Sequence, residues 1–243
     1  MIGPLGITGG SSFLEGAVLA DAEEERVDTD HGDVVCHVGE GYVFLGRHGT
    51  GVYHPPHRIP HLAHADAFRA LGVTEIVGLN SVGSLDVDLG PGTVLVADDY
   101  LSIHPPPTSA GDERLHIVPT LDGDLRELLL RAARATEGPV VDGGVYVETR
   151  GPRFETRAEV RWIAPLGDIV GMTAASEATL FQERGLRYAM LGVVDNFANG
   201  ITGEPLTFEE YEAHRVANVA RANEILTNLI EFRAEFEAGG GAA

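Results

Sequence analysis

Short, nearly continuous apolar runs along this chain alternate with longer segments whose apolar residues recur at three- and four-residue spacing. The first pattern predicts buried strands and the second amphipathic helices, so the chain reads as α/β. Strands are predicted over 4–8, 34–37, 42–45, 75–79, 93–97, 140–147, 169–171 and 188–194, and helices over 60–71, 123–135, 158–164, 176–184 and 208–236. Residues 104–112, with prolines at 105, 106 and 107, are predicted to be a loop, because proline cannot join a central strand. Neither an internal repeat nor a long linker interrupts the pattern, which predicts one domain over 1–238 and a mobile tail over 239–243.

Composition narrows the function. No apolar run approaches the ~20 residues that cross a bilayer, and the start of the chain lacks the basic flank and apolar core of a signal peptide, so a cytoplasmic location is expected. The lone Cys36 excludes an intrachain disulfide and a cysteine-based metal cluster. A formal charge of −20 argues against nucleic acid or an anionic membrane as partner. All 17 basic residues are arginine, which excludes P-loop lysines and Schiff-base chemistry. The acid excess without lysine fits a high-salt or a high-GC source, and composition does not separate the two.

Five segments at predicted strand ends carry candidate chemistry. Gly9-Gly10-Ser11-Ser12 lets backbone N–H groups approach an anion, with a serine hydroxyl beside them, but lacks the spaced glycines of a dinucleotide site. Gly46-Arg47-His48-Gly49 offers a guanidinium fork and a second donor to a phosphate, or simply a surface ion pair. Asn80-Ser81-Val82-Gly83-Ser84 follows an apolar run and suits either ligand contact or a tight turn. Gly171-Met172-Thr173 puts a thioether and a hydroxyl at another strand end, and Asp195-Asn196 closes the last one. Histidines 48, 54, 57, 61 and 64 cluster in sequence, yet no glutamate takes the general-base position of a zinc-protease motif, so they are expected at the rim or in the structure and no metal site is expected.

The segment Gly151-Pro152-Arg153-Phe154-Glu155-Thr156 adds an aromatic face beside a carboxylate, which suits a planar nitrogen heterocycle. The same stretch also reads as a capped helix start, with Thr156 as N-cap and Glu159 as its partner.

In this order the segments resemble the trimeric purine nucleoside phosphorylase and methylthioadenosine phosphorylase family, over residues ~5–225. The resemblance implies one α/β domain around a mixed, partly barrel-like sheet flanked by helices, and a homotrimer. It implies phosphorolysis of a purine nucleoside to a free base and a ribose 1-phosphate, with inorganic phosphate as co-substrate and no cofactor. By resemblance Ser11, Arg47, His48, Ser81 and Thr173 bind phosphate with Asn80 beside them, and Met172 lies against the ribose. Phe154, Glu155 and Asn196 face the base, Phe208 lies at the 5′ end, and His116 resembles a residue lent by a neighbouring subunit.

Two positions discriminate among relatives. Those acting on adenine nucleosides carry Asp and a small residue, often Ser, where this chain has Asn196 and Glu155; those acting on 6-oxopurines carry Asn and Glu. A carboxylate accepts the N1–H of hypoxanthine or guanine, which adenine lacks. Phe208, matching a histidine that holds a 5′-hydroxyl, suits a methylthio group, so the expected substrates are 5′-methylthioinosine, inosine or guanosine. Asp195 stands where relatives have Thr or Ser, and could compete with Asn196 for the purine and restore adenine recognition; Asn196, Glu155 and Asp195 are thus the candidate catalytic residues. The family's Asn-Tyr-Arg-Ala-Asn helix start is here Pro60-His61-Leu62-Ala63-His64. A methylthioadenosine phosphorylase and a nucleoside-binding protein without turnover are the alternatives.

Overall fold

The computed structural model describes residues 3–10, 19–111 and 114–239. Among them one sheet holds 11 strands. In chain order these are β1 (Leu5–Gly9), β2 (Glu23–Val27), β3 (Val34–Gly39), β4 (Tyr42–Gly46), β5 (Glu75–Ser84), β6 (Val94–Val96), β7 (Asp99–Ser102), β8 (Val140–Asp142), β9 (Val145–Glu148), β10 (Ile169–Gly171) and β11 (Arg187–Phe197). The helices are α1 (His61–Ala70), α2 (Gly123–Arg134), α3 (Arg157–Ile163), α4 (Ala174–Glu183) and α5 (Phe208–Gly239). Short 3₁₀ turns cover Pro56–Arg58 and Ala164–Leu166.

Every predicted element is present, most with shifted ends, and the differences have local causes. The run over 140–147 is two strands because Gly143 and Gly144 turn the chain at φ +95° and +117°. β2 escapes the pattern because Glu23, Glu24 and Glu25 are exposed on a sheet edge, where charge blocks further pairing. β7 (Asp99–Ser102) is too short and polar to read as an apolar run. Gly239 ends α5 in helical conformation, and the rest of the expected tail, 240–243, lies outside the described residues.

Helices cover both sheet faces. α1 and α4 pack on one through Ala63, Ala67, Phe68, Ala175, Ala178 and Phe181. α2 and α5 pack on the other, where Ala222, Ile225, Leu226 and Leu229 recur at the spacing of one helical face.

The central strand β5 is where the sheet divides. Its first half pairs in parallel with β1, the register ending at Gly9 opposite Leu79. Its last two residues pair antiparallel with β10, Gly83 opposite Val170 and Ser84 opposite Ile169. On this edge Asn80, Ser81 and Val82 pair with neither strand, because the carboxyl ends of β1 and β10 approach each other from opposite directions. β11 runs along the whole opposite edge of β5, with a register shift between Val194 and Asn196. The strand 75–79 therefore continues through Ser84, so Asn80 and Ser81 lie within it, beside a gap that three strand ends feed.

Candidate active site

A cavity of about 310 Å³ opens over that gap, a size that takes a small ligand. Gly10 just after β1, Arg47 and His48 just after β4, Asn80 to Gly83 from β5, and Gly171 at the end of β10 with Met172 and Thr173 after it all line it. Phe154, Glu155, Asn196, Asn199, Phe208 and Tyr211 close its other end. Ten of the sequence-predicted site residues thus meet in one place.

Donors gather at the β1–β10 end, where α4 begins. Thr173 is the N-cap residue of α4, yet its hydroxyl makes no capping bond. Other groups take over that role: the Tyr146 hydroxyl accepts Thr173 N at 3.2 Å and Ala174 N at 3.3 Å, and Glu148 accepts Ser176 N at 2.9 Å. Thr173 is thereby released to face the cavity, at the positive end of a helix dipole. Gly171 permits this arrangement, because a Cβ there would overlap the Tyr146 hydroxyl. His48 Nδ1 lies 2.8 Å from the His54 carbonyl, so it carries the proton and leaves Nε2 toward the cavity. Burial keeps the His48 pKa below the ordinary histidine value, against the raising effect of that carbonyl.

Arg47 departs from expectation. Its Nε donates to Glu177 Oε1 at 2.6 Å and its Nη2 to Glu177 Oε2 at 3.0 Å, while Nη1 holds the Leu79 carbonyl at 3.2 Å and Nη2 also reaches Thr8 at 3.1 Å. The guanidinium fork is therefore closed on Glu177, and one Nη1 hydrogen remains for a ligand. Thr8 and Tyr188 also donate to Glu177, at 3.0 and 2.8 Å.

The other end is built by the segment after β9. Thr156 and Glu159 make both arms of the predicted capping box, Glu159 N to Thr156 Oγ1 at 3.2 Å and Thr156 N to Glu159 Oε2 at 2.7 Å. The box fixes the residue before it: Glu155 is buried, takes the Thr149 hydroxyl on Oε1, and has its own carbonyl held by Asn199 Nδ2 at 3.1 Å. Asn196 Nδ2 donates to the Phe197 carbonyl at 2.8 Å, leaving Oδ1 as a free acceptor. Phe154 meets Tyr211 edge-on at 5.3 Å, and Phe208 lies 5.9 Å from the same ring. The cavity thus joins an anion-binding end to a carboxylate, an amide and an aromatic wall.

The family model described as Phosphorylase superfamily matches residues 4–231 of this chain. The chain belongs to that superfamily. Within it, a protein of Archaeoglobus fulgidus named probable 6-oxopurine nucleoside phosphorylase is 38% identical over 93% of this chain and 96% of its own length. A protein of Methanothermobacter thermautotrophicus named probable S-methyl-5′-thioinosine phosphorylase is 37% identical over 85% of this chain and 76% of its own length. Among solved structures, a methylthioadenosine phosphorylase from an antarctic soil metagenomic library matches with a TM-score of 0.84 and 28% identity, over 97% of this chain and 88% of that one.

Some site expectations for this phosphorylase-superfamily chain meet a different geometry, and others fall outside the described residues or outside this cavity. Ser11 lies outside the described residues. Asn80 gives its Nδ2 to the carbonyls of Gly78 (3.2 Å) and Leu191 (3.1 Å), so only the acceptor Oδ1 is left and the side chain has no donor to give an anion. Ser81 donates its hydroxyl hydrogen to Asp195 and is likewise an acceptor toward the cavity. Asp195 does not compete with Asn196: the register shift in β11 turns it away from the cavity, to Ser81 and to Asn218 Nδ2 at 2.7 Å. His116 is exposed and absent from the cavity lining of its own chain. Of the clustered histidines, His48 meets the His54 carbonyl and the His61 and His64 rings lie 6.2 Å apart, while among the described residues no group of three or more side chains that could hold a metal ion forms.

Tyr53, Asn199 and Tyr211 line the cavity without having stood out in the sequence. Tyr211 carried a signal, three residues after Phe208 and hence on the same helix face. Tyr53, stacked on His48 at 5.4 Å, carried none.

Proposed function

We propose that this chain is a purine nucleoside phosphorylase that acts on 6-oxopurine nucleosides. Phosphate oxygen attacks C1′, the C1′–N9 bond breaks with its electron pair passing to the purine, and the products are free base and ribose 1-phosphate or 5-methylthioribose 1-phosphate. The observation that carries the reading is the Glu155 carboxylate, oriented by Thr149 in the same cavity that Thr173 lines at the α4 N-terminus. Its free oxygen suits the N1–H of hypoxanthine or guanine, and Asn196 Oδ1 suits the N7–H that forms as the base departs. Thr173, the free Nη1 hydrogen of Arg47 and the Gly10 backbone suit the phosphate. His48 Nε2, unprotonated while Nδ1 serves His54, suits a P–OH of that phosphate. Leu206, Phe208 and Tyr211 form an apolar end that favours a 5′-methylthio group over a bare hydroxyl.

The likeness to a methylthioadenosine phosphorylase supports a second reading, in which adenine nucleosides are the substrates. The orientation of Asp195 weighs against it, since the carboxylate that would recognise adenine is committed to Ser81 and Asn218. The reading also has the enzyme work in the cytoplasm as a homotrimer that needs no cofactor beyond phosphate, with His116 serving a neighbour's cavity. Large exposed apolar residues such as Val118 and Trp162, 85% and 59% exposed, support such assembly.

Base release should be measured with phosphate and a panel of inosine, guanosine, adenosine, methylthioinosine and methylthioadenosine. Phosphate-dependent release from the 6-oxopurines above the adenine compounds is expected. Equal turnover of methylthioinosine and methylthioadenosine would refute the role given to Glu155, and no release from any compound would leave a binding protein.

A further inference from the structure

Ser81 stands midway along the cavity. Two residues before it, the Leu79 carbonyl is held by Arg47 at the anion end; two residues after it, a Cβ on Gly83 would lie 3.3 Å from Asn196 Nδ2 at the base end. At the ~3.3 Å rise of a strand, Ser81 is about 7 Å from each, where a sugar lies between phosphate and purine.

The polarity of Ser81 is set from behind. Its hydroxyl hydrogen goes to Asp195 Oδ2, and the other Asp195 oxygen accepts Asn218 Nδ2 at 2.7 Å, an amide that also reaches the Val194 carbonyl at 3.0 Å. Asp195 can take this position only because β11 shifts register there: Val194 lies opposite Val82 and Asn196 opposite Gly83, with no partner for the residue between. A hydroxyl whose proton is committed to a carboxylate offers only lone pairs, which the carboxylate strengthens; the Tyr211 hydroxyl is hydrogen-bonded to Ser81 as well, so one lone pair is left for a ligand. Such a group repels phosphate oxygens and calls for a donor. At that distance from both ends of the cavity, the donors of a nucleoside are its ribose hydroxyls.

We propose that Asp195 is a positioning residue that, acting through Ser81, presents a hydrogen-bond acceptor to a ribose hydroxyl and so makes the site select ribonucleosides over their deoxy counterparts. The inference rests on the phosphorylase reading above. It gives a task to an aspartate that stands behind the cavity lining, on Ser81 and Asn218.

The test is steady-state kinetics of the wild type, Ser81→Ala and Asp195→Asn with inosine, 2′-deoxyinosine and 3′-deoxyinosine, each with phosphate also titrated. The wild type should favour inosine over at least one deoxy compound by roughly 5- to 100-fold in kcat/KM, the cost of leaving a desolvated acceptor without its donor. Ser81→Ala should collapse that ratio to within about threefold while the phosphate KM stays within about twofold. Asp195→Asn should do the same with Ser81 intact. Its Oδ1 would stay with Asn218 and its Nδ2 would donate to Ser81, turning the hydroxyl hydrogen into the cavity. A merely structural Asp195 would lower turnover of all three nucleosides equally and leave the ratio in place, which overturns the proposal. A phosphate KM that rises as steeply as the nucleoside parameters also overturns it, by making Ser81 part of the anion site. Should Asp195→Asn fail to fold, the exposed Ser81→Ala decides alone. Absence of phosphate-dependent release in the wild type overturns the parent reading and this one with it, whereas release with an unmoved ratio in Ser81→Ala overturns this one alone.

Discussion

Arg47 commits the Nε–Nη2 edge of its guanidinium to Glu177, at 2.6 and 3.0 Å, and neither residue is more than 2% exposed. Burial alone would push the Glu177 carboxyl up, but the charge and hydrogen bonds of Arg47 outweigh it and hold the pKa below the usual carboxylate value. Removing one partner leaves the other charged and buried, which typically costs about 3–5 kcal/mol. Glu177→Gln should therefore lose about that much in urea unfolding. Because the folded pKa is depressed, the stability from this carboxylate is present above its unfolded value and is lost as pH falls through the folded one. A loss below about 1 kcal/mol would mean that water reaches the pair.

Much of this site was legible because its residues sit at or near strand ends in a sheet whose alternation is plain in the sequence. Arg47, Met172, Thr173 and Asn196 were found that way. The directions in which groups point were less legible. Nothing in Asp195-Asn196 announces the register shift that sends one residue to the cavity and the other away from it. Tyr146 and Tyr188 read as ordinary core, since the hydroxyls that serve Thr173 and Glu177 are visible only once α4 is docked on the sheet. Asn80 was recognised as polar, but its donors go to the Gly78 and Leu191 carbonyls, the second 111 positions away in sequence.

Two histidines should respond to pH with opposite sign. The His104 pKa is raised chiefly by its bond to Glu148, 3.3 Å away, against the lowering effect of burial. Its stabilisation is complete below the unfolded value of ~6.5 and is lost as pH rises through the folded one. His64 is pushed down to about 3 by burial and then by His61, so its contribution is present above ~6.5 and is lost as pH falls from there toward 3. Unfolding free energies of wild type and variants across pH 4.5 to 9 test this. His104→Gln should cost more at low pH than at high pH. His64→Leu should flatten the acid limb by about 1 kcal/mol per pH unit between those values. Parallel curves for either variant and the wild type would exclude its assigned sign.

A chain with 37 acidic and 17 basic residues repels itself, and the exposed Glu23, Glu24 and Glu25 place three of those acids side by side. Raising potassium chloride from 0.1 to 1 M shortens the screening length from ~10 to ~3 Å. The melting temperature should rise by at least ~2–4 °C, equivalent to about 1 kcal/mol for a chain of this size. Glu24→Gln should reduce that gain slightly. A melting temperature independent of salt would show that the acids are already balanced by local pairing.

Glu155 should decide between the purines because it is buried, oriented and free on one oxygen. Thr149 occupies Oε1, and Asn199 holds the backbone carbonyl at 3.1 Å, so the carboxylate cannot swing aside to admit adenine N1. A buried acceptor facing a ring nitrogen without a hydrogen loses its partner, at a cost of about 1.5–3 kcal/mol, or ~10- to 100-fold in kcat/KM. Glu155→Ser should lower kcat/KM for inosine by that factor and narrow its advantage over adenosine, with the phosphate KM unchanged because the anion site is at the other end of the cavity. Thr149→Val keeps the carboxylate but releases Oε1, and should cost inosine about 1 kcal/mol, or ~fivefold, through looser orientation. The decisive comparison is the inosine-to-adenosine ratio across wild type, Thr149→Val and Glu155→Ser, which should fall in that order. A ratio that holds in Glu155→Ser would move purine recognition to Asn196 alone.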